Sequence, residues 1–248
     1  MSPGPSSDAT VAVWYGSVWS RLGRGDLAWA HWDRIATPRV QPWLAAERGQ
    51  VLRELGLHAR AEALEGPALR VATDAADVAM LCVSLVADAV GLGDVDLARR
   101  RLRAAADAVG ALVDGPRAAR QRLRLAWVTV EVALLGGDPP PARDLPAWDA
   151  TRGEPVQPPD ADHGSVFHRA KGLLFGGVVH GDPRMLDAAA ALAPPVLAWA
   201  VHLARADLGH DADALAAARD AWRAVVVPAE VRDASAATPT ARRLVTPA

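Results

Sequence analysis

The sequence has little cysteine and little lysine, and each shortage narrows the chemistry. Cys82 is the only cysteine among 248 residues, which excludes a disulfide framework and any zinc site built from several cysteines. Lys171 is the only lysine beside 26 arginines. With abundant alanine, glycine and proline, this bias indicates a GC-rich genome, and we expect a bacterial protein.

An excess of charge, a long apolar run and a targeting signal are also missing. The formal net charge is −2, which disfavours binding to nucleic acid or to an anionic membrane. No apolar run approaches the roughly 20 residues that span a bilayer. The segment 1–8 lacks the basic region and apolar core of a signal peptide, so we expect a cytoplasmic protein.

What remains is a strong helical pattern. Apolar residues make up 51% of the chain, and they recur with the 3.6-residue period of helices, as in Val78, Leu81 and Leu85. The run Val225–Val227 is rich in β-branched residues, but it ends a helical pattern and is too short to start a sheet. The sequence therefore predicts an all-α protein of about ten to eleven helices.

Composition divides the chain into five segments. We predict a disordered N-terminus at 1–9, helical pairs over 10–137, a proline-rich loop over 138–165, further helices of the same domain over 166–227, and a disordered tail over 228–248. The loop holds seven prolines and little periodicity, with one short helical turn predicted near 145–148. So long a loop in a compact domain is usually functional or disordered.

Glycine turns join the predicted helices into pairs. Gly23, Gly56 and Gly93 lie 33 and 37 residues apart, a period typical of helix-turn-helix repeats. Each is followed five residues later by an alanine: Ala28, Ala61 and Ala98. Small residues at this position let the two helices of a pair approach closely.

These features resemble the tetratricopeptide repeat family. The matching positions are Leu85, Gly93, Asp94, Ala98, Leu102 and Ala105. The resemblance covers 10–135 well and 166–226 loosely, and it departs from the family where Ala45 and Cys82 replace a bulky aromatic residue. It implies a right-handed α-solenoid of antiparallel helix pairs that binds a protein or peptide on its concave face. The alternative is an irregular helical bundle.

A search for catalytic or metal-binding motifs finds no strong candidate. The residues Asp160, Asp162, His163 and His168 lie close together in sequence, but a solvated loop that leads into a helix explains them better than a metal site. Nucleophile-elbow, phosphate-loop and dinucleotide-binding patterns are missing. We therefore predict no enzyme, no cofactor and no metal.

In a solenoid, the first helix of each pair lines the concave face, so the polar residues of those helices are the binding candidates. The acidic candidates on two such helices are Glu47, Glu54, Asp77 and Asp88. The candidates on the helix over 117–135 are Arg117, Arg120, Arg124, Trp127 and Glu131. These rows predict either a polarised groove whose arginines bind a carboxylate or an acidic segment, or a solvated face whose charges pair with each other.

Three functions stay open at this point. The first is a scaffold or adaptor that binds a protein or peptide partner. The second is a ligand- or signal-sensing helical module that regulates a partner transcription factor or signalling ATPase. The third is a helical enzyme with a site at the 138–165 loop. An open groove lined by Arg117 and Arg124 would favour the scaffold. A closed apolar cavity would favour the sensing module, and a cluster of His163 and His168 with carboxylates would favour the enzyme. Exposed tryptophans would mark a contact surface.

Overall fold

The computed structural model describes residues 5–141, 145–156, 165–209 and 211–245, and within these ranges the chain is almost entirely helical. The described helices are α1 Pro5–Arg21, α2 Gly25–Trp32, α3 Gln41–Glu54, α4 His58–Val71, α5 Ala75–Gly91, α6 Val95–Gly110, α7 Pro116–Gly136, α8 Val166–His180, α9 Pro183–Leu192, α10 Pro195–Gly209, α11 Ala212–Ala224, α12 Ala229–Ser235 and α13 Pro239–Val245. The predicted all-α class is confirmed, and the thirteen described helices slightly exceed the number predicted.

The chain turns between helices where the sequence predicts it. Gly23, Gly56 and Gly93 have φ values of 78°, 75° and 75°, a left-handed conformation that suits glycine because it has no Cβ. Aspartate side chains accept hydrogen bonds from backbone N–H groups at the start of the next helix, as Asp94 does for α6. Ala28, Ala61 and Ala98, the small residues after the turns, are completely buried.

Consecutive helices pack in pairs: α1 with α2, α3 with α4, α5 with α6, α8 with α9, and α10 with α11. Helix α7 has no such partner after it. Instead, the side chain of Leu145 packs in a cluster with Leu123, Trp127 and Val130 of α7 and with residues of α8. Leu145, in the described segment that follows, thus packs on α7 where a second helix would lie.

The helix pairs close into a ring. Helices α1, α3, α5, α7, α8 and α10 contact one another in that order, and α10 also contacts α1. Two backbone hydrogen bonds join the first and last helix pairs. The N–H of Val226 donates to the carbonyl oxygen of Gly23 at 2.7 Å, and the N–H of Asp26 donates to the carbonyl oxygen of Val226 at 3.1 Å. Closure is not part of the sequence prediction, which places a solvent-open concave face inside the solenoid.

The C-terminal residues 228–248, predicted to be a disordered tail, form α12 and α13 within the described part. Their side chains complete the largest core cluster, which contains Val231 and Leu244 together with Val13, Trp32 and Leu44 from the first helices. The prediction is wrong because the segment 228–248 has few apolar residues among many small and polar ones, so the sequence gives no helical pattern there. These apolar residues are buried only when the N-terminal helices cover them. At the N-terminus, α1 begins at Pro5, inside the segment 1–9 predicted to be disordered.

The proline-rich loop is partly structured. Strands β1 Ala147–Asp149 and β2 Glu154–Val156 form an antiparallel hairpin, where the sequence predicts a helical turn, and β1 contacts α8 and α9. Gly176 permits this contact, because a Cβ there would lie 2.4 Å from the carbonyl oxygen of Pro146. The remainder of the predicted loop at 142–144 and 157–164 lies outside the described residues.

Within the described ranges, no helix combines the length and the apolar character that crossing a bilayer requires.

Candidate functional site

Three adjoining cavities run through the interior of the ring. The central cavity, of about 360 Å³, is lined by residues of α3, α4, α5, α7, α8 and α10. The entrance cavity, of about 730 Å³, lies near the starts of α3, α7 and α8, where Trp43, Arg117 and Ser165 line it. A neck of about 40 Å³ shares Arg120 with the entrance cavity and Lys171 with the central cavity. The neck therefore lies between the other two cavities and shares lining residues with both.

A buried ion network forms part of the central wall. Arg53 of α3 lies 2.7 Å from the carboxylate of Glu65 and 3.3 Å from that of Asp88, and both carboxylates are completely buried. Burial disfavours the charge on Arg53, but the two carboxylates outweigh this effect and raise its pKa. Burial, together with the charge on Asp88, raises the pKa of Glu65. One guanidinium thus neutralises two carboxyl groups, and a proton is favoured on Glu65.

Glycines bring this network together. A Cβ on Gly49 would lie 2.1 Å from the carboxylate of Glu65, and a Cβ on Gly91 would lie 2.2 Å from the ring of His58. The His58 ring in turn lies 3.7 Å from Asp88. Without side chains at these two glycines, α4 can place a carboxylate and an imidazole beside the inner helices α3 and α5.

Lys171 and its aromatic neighbours form a second part of the wall. The Nζ atom of Lys171 lies 5.3 Å from the ring centre of Trp127 and 5.7 Å from that of Phe175, within the range of cation–π attraction. The rings of Trp127 and Phe175 are stacked at 6.0 Å. Burial lowers the pKa of Lys171, because an ammonium group is costly to remove from water.

Two carboxyl groups face the same space with few partners. Glu54 accepts a hydrogen bond from Gln50 at one oxygen, while its other oxygen is buried with no partner among the described residues. Burial raises the pKa of Glu54 to about 7. Burial also raises the pKa of Glu131. Because the pKa of Glu54 lies near 7, its carboxyl group gains or loses a proton close to neutral pH.

The neck is basic and partly aromatic. Arg124 donates hydrogen bonds to Ser84 at 2.8 Å and to Gln121 at 3.0 Å. Burial, with the charges of Arg120 and Arg53, lowers the pKa of Arg124 to about 9. His168 is stacked on Trp127 at 5.6 Å, and burial together with four nearby cations lowers its pKa to about 3. His168 is therefore a neutral side chain at physiological pH.

The structure brings most of the predicted binding residues together. Glu54, Arg124, Trp127 and Glu131 line the central cavity, and Glu47 and Arg120 line the neck and the entrance. These side chains lie on the inner side of the ring, where they line its cavities.

The other predicted binding residues are paired. Asp88 belongs to the buried network of Arg53. Arg117, at the rim of the entrance, pairs with Asp77 at 2.6 Å and with Asp74 at 3.1 Å. For Arg117 and Asp77, the structure agrees with the alternative prediction, in which acidic and basic rows pair with each other.

Sequence reasoning missed Arg53, Glu65 and Lys171 as parts of the site. Lys171 had a usable signal, since a chain that otherwise uses arginine keeps a single lysine. Arg53 and Glu65 had none, because a buried ion network and an exposed charged face look alike in one sequence. Cys82 is half-buried, and burial raises the pKa of its thiol, which disfavours a reactive thiolate.

The metal cluster considered at Asp160, Asp162 and His163 lies outside the described residues. Among the residues that the structure does describe, no group of three or more histidine, cysteine, aspartate and glutamate side chains is placed to hold a metal ion.

Comparison of the chain with protein-family models, with curated proteins and with solved structures finds no match. The resemblance to tetratricopeptide repeats therefore stays a prediction.

Proposed function

We propose that this protein binds a small organic ligand in its central cavity and acts as a ligand-sensing helical-repeat module. One observation carries the proposal: the wall combines apolar surface with a few ionisable side chains that converge on the same space. Glu54, Glu131 and Lys171 supply these ionisable groups, and burial shifts the pKa of each. A mostly apolar pocket with convergent polar groups of shifted pKa is the usual form of a small-molecule site.

Size and surface support the same proposal. A volume of about 360 Å³ falls at the lower end of the range of small-molecule sites, which are mostly apolar with a few convergent polar groups. Side chains such as Val83, Leu174 and Val196 supply the apolar part. In this proposal the protein binds its ligand without catalysis in the bacterial cytoplasm, and the helix pairs form a right-handed, tetratricopeptide-repeat-like solenoid whose concave face has become the cavity wall.

Binding of a neutral fluorescent dye, N-phenylnaphthylamine, tests the proposal. The parent protein should give a saturable fluorescence increase. Ala200→Trp and Ala87→Phe place a large ring at two positions of the cavity wall, and each should abolish the increase. Ala104→Trp, at an exposed position of α6, is the matched control and should leave the dye bound. Equal dye binding by all four proteins would place the dye elsewhere and contradict the proposal.

A second candidate is the scaffold that binds a protein or peptide, and the surface of α1 favours it. This helix exposes four large apolar side chains, Val11, Trp14, Tyr15 and Trp19, and Leu22 directly after it is exposed as well. Exposed tryptophans are favoured in protein contacts, and Trp14 also lines the entrance cavity. A partner on α1 would therefore lie beside the route to the ligand.

Affinity capture from the native cell lysate tests the second candidate. A partner recovered by the parent protein should be lost by the double variant Trp14→Ser, Trp19→Ser. The variant Arg122→Met, which changes an exposed arginine of α7, should still recover it. Retention of the partner by the tryptophan variant would rule out α1 as its contact surface.

A further inference from the structure

The charges of the neck and the central cavity balance. Arg21 pairs with Glu47 at 3.8 Å, and Arg53 lies against the carboxylates of Glu65 and Asp88. The other arginine, lysine and acidic residues of these two cavities, within the described ranges, are Arg120, Arg124, Lys171, Glu54 and Glu131. Five cations thus accompany five carboxyl groups. A ligand without net charge leaves this balance unchanged, whereas an uncompensated charge in a buried site is costly.

Two opposite charges in the central cavity lack a partner of opposite charge in contact. Lys171 of α8 and Glu131 of α7 both line this cavity and are half-buried. Apart from the ring contacts of Lys171, neither side chain forms a hydrogen bond or an ion pair with a described residue, and the polar atoms of both keep accessible surface. A ligand in the cavity can therefore reach both groups.

The charges of Lys171 and Glu131 attract each other without forming an ion pair. Burial lowers the pKa of Lys171 and raises that of Glu131, and the largest opposing effect on each is the charge of the other. Burial outweighs this attraction, as expected for two charges that lie near each other but are not in contact. A ligand that brings a negative group to Lys171 and a positive group to Glu131 would give each a charge-assisted hydrogen bond.

The rest of the wall suits an apolar side chain of the ligand. Val83, Val128 and Leu197 line the same cavity, together with the ring of Phe175. The volume of about 360 Å³ favours a compact molecule. The ligand therefore needs two small charged groups and an apolar part of modest size.

We infer that the ligand of the central cavity is a zwitterion of the α-amino-acid class with an apolar side chain. Its carboxylate lies at Lys171, its ammonium lies at Glu131, and its side chain contacts the hydrocarbon wall. This inference rests on the proposed function and adds the chemical class of the ligand. A ligand with a single charge would leave one of the two opposite charges without a partner and would disturb the charge balance of the interior.

Four probes that share one phenyl group and differ in charge test the inference. L-Phenylalanine carries both charges, phenylpropionate carries only the negative one, phenethylamine carries only the positive one, and phenylpropionamide carries neither. Each is measured by its displacement of N-phenylnaphthylamine from the parent protein. L-Phenylalanine should bind at least about tenfold more tightly than each of the other three, as expected for one additional charge-assisted hydrogen bond.

Two variants locate the two charged groups of the ligand. Lys171→Met keeps the length of the side chain and removes the ammonium, so L-phenylalanine and phenylpropionate should each lose about tenfold in affinity, and phenethylamine should not be weakened. Glu131→Gln keeps the shape and removes the negative charge, so L-phenylalanine and phenethylamine should be weakened, and phenylpropionate should not. Either variant is decisive if the other does not fold. Arg122→Met, at an exposed position of α7, is the matched control and should change no affinity.

The possible failures are distinguishable. Equal affinities for the four probes, tightest binding of a probe other than L-phenylalanine, or no displacement of a dye that the protein does bind would each overturn the zwitterion inference and leave the proposed function standing. Tight binding of L-phenylalanine that the folded variants leave unchanged would overturn the inference as well. No dye binding at all would overturn the proposed function and the inference with it.

Discussion

Arg53 is the residue whose removal should cost the most stability, because it neutralises two buried carboxyl groups. Arg53→Met leaves Glu65 and Asp88 without a cation, and breaking a buried ion pair in this way typically costs about 3–5 kcal/mol. Urea unfolding monitored by circular dichroism measures the change. Arg122→Met breaks an exposed pair with Asp114 and should cost less than about 1 kcal/mol. Similar losses in both variants would show that the Arg53 network is not a buried one.

Glu54 should make the stability depend on pH. Its pKa is about 7 in the folded protein against an ordinary value of 4.5, so the folded state keeps a proton that the unfolded chain has already released. The stabilising contribution is therefore complete below about pH 4.5 and is lost as the pH rises through about 7.

Glu54→Gln removes this titration while keeping the shape of the side chain. The free energy of unfolding, measured by urea titration between pH 4.5 and 7, should fall less steeply in this variant than in the parent. Glu230→Gln, at an exposed position of α12, should keep the parental slope. A parental slope in Glu54→Gln would mean that other groups cause the pH dependence.

At the scale of elements, the repeat spacing makes a prediction about helix α6. Ala98 is completely buried where α6 packs in a cluster with residues of α5 and α7. Ala98→Leu should overpack this contact and cost about 1–3 kcal/mol, measured by urea unfolding. Ala104→Leu on the exposed side of the same helix should change the stability by less than about 0.5 kcal/mol. Equal stability of the two variants would argue against the predicted repeat register.

For the whole molecule, closure of the ring should couple the two ends of the chain. In an open solenoid each repeat contacts only its neighbours, whereas here Leu244 of α13 packs in one cluster with residues of α1 to α4. Leu244→Ala should therefore speed backbone hydrogen exchange in α2 and α3 as well as in α13. Mass spectrometry of exchanged peptides measures this effect.

Arg243→Ala changes the neighbouring exposed residue, which pairs with Asp207, and it should leave exchange in α2 and α3 unchanged. Faster exchange confined to α12 and α13 in the Leu244 variant would show that the ends of the chain are energetically independent.

Much of the helical structure could be predicted because its causes are local. The period of apolar residues, the aspartate caps and the turn glycines act within a few residues of one another, so one sequence contains them. Gly93 and Ala98 show this well: the left-handed turn and the buried alanine were both predictable. Leu244 was not, because a few apolar residues in a polar tail give no periodic signal until another surface covers them.

The sequence by itself determined most of the helices up to α11, their pairing across glycine turns, and the row of polar residues from Arg120 to Glu131. Only the tertiary structure decided that this row faces an interior cavity, because the cavity depends on contact between α1 and α10. These helices lie about 180 residues apart, and the periodic pattern of the sequence is informative only over short distances. Closure surrounds the inner faces with other helices and reduces their contact with bulk water. For that reason Glu54, Arg124 and Lys171, which on an open groove would be ordinary solvated charges, have shifted pKa values and face a space of ligand size.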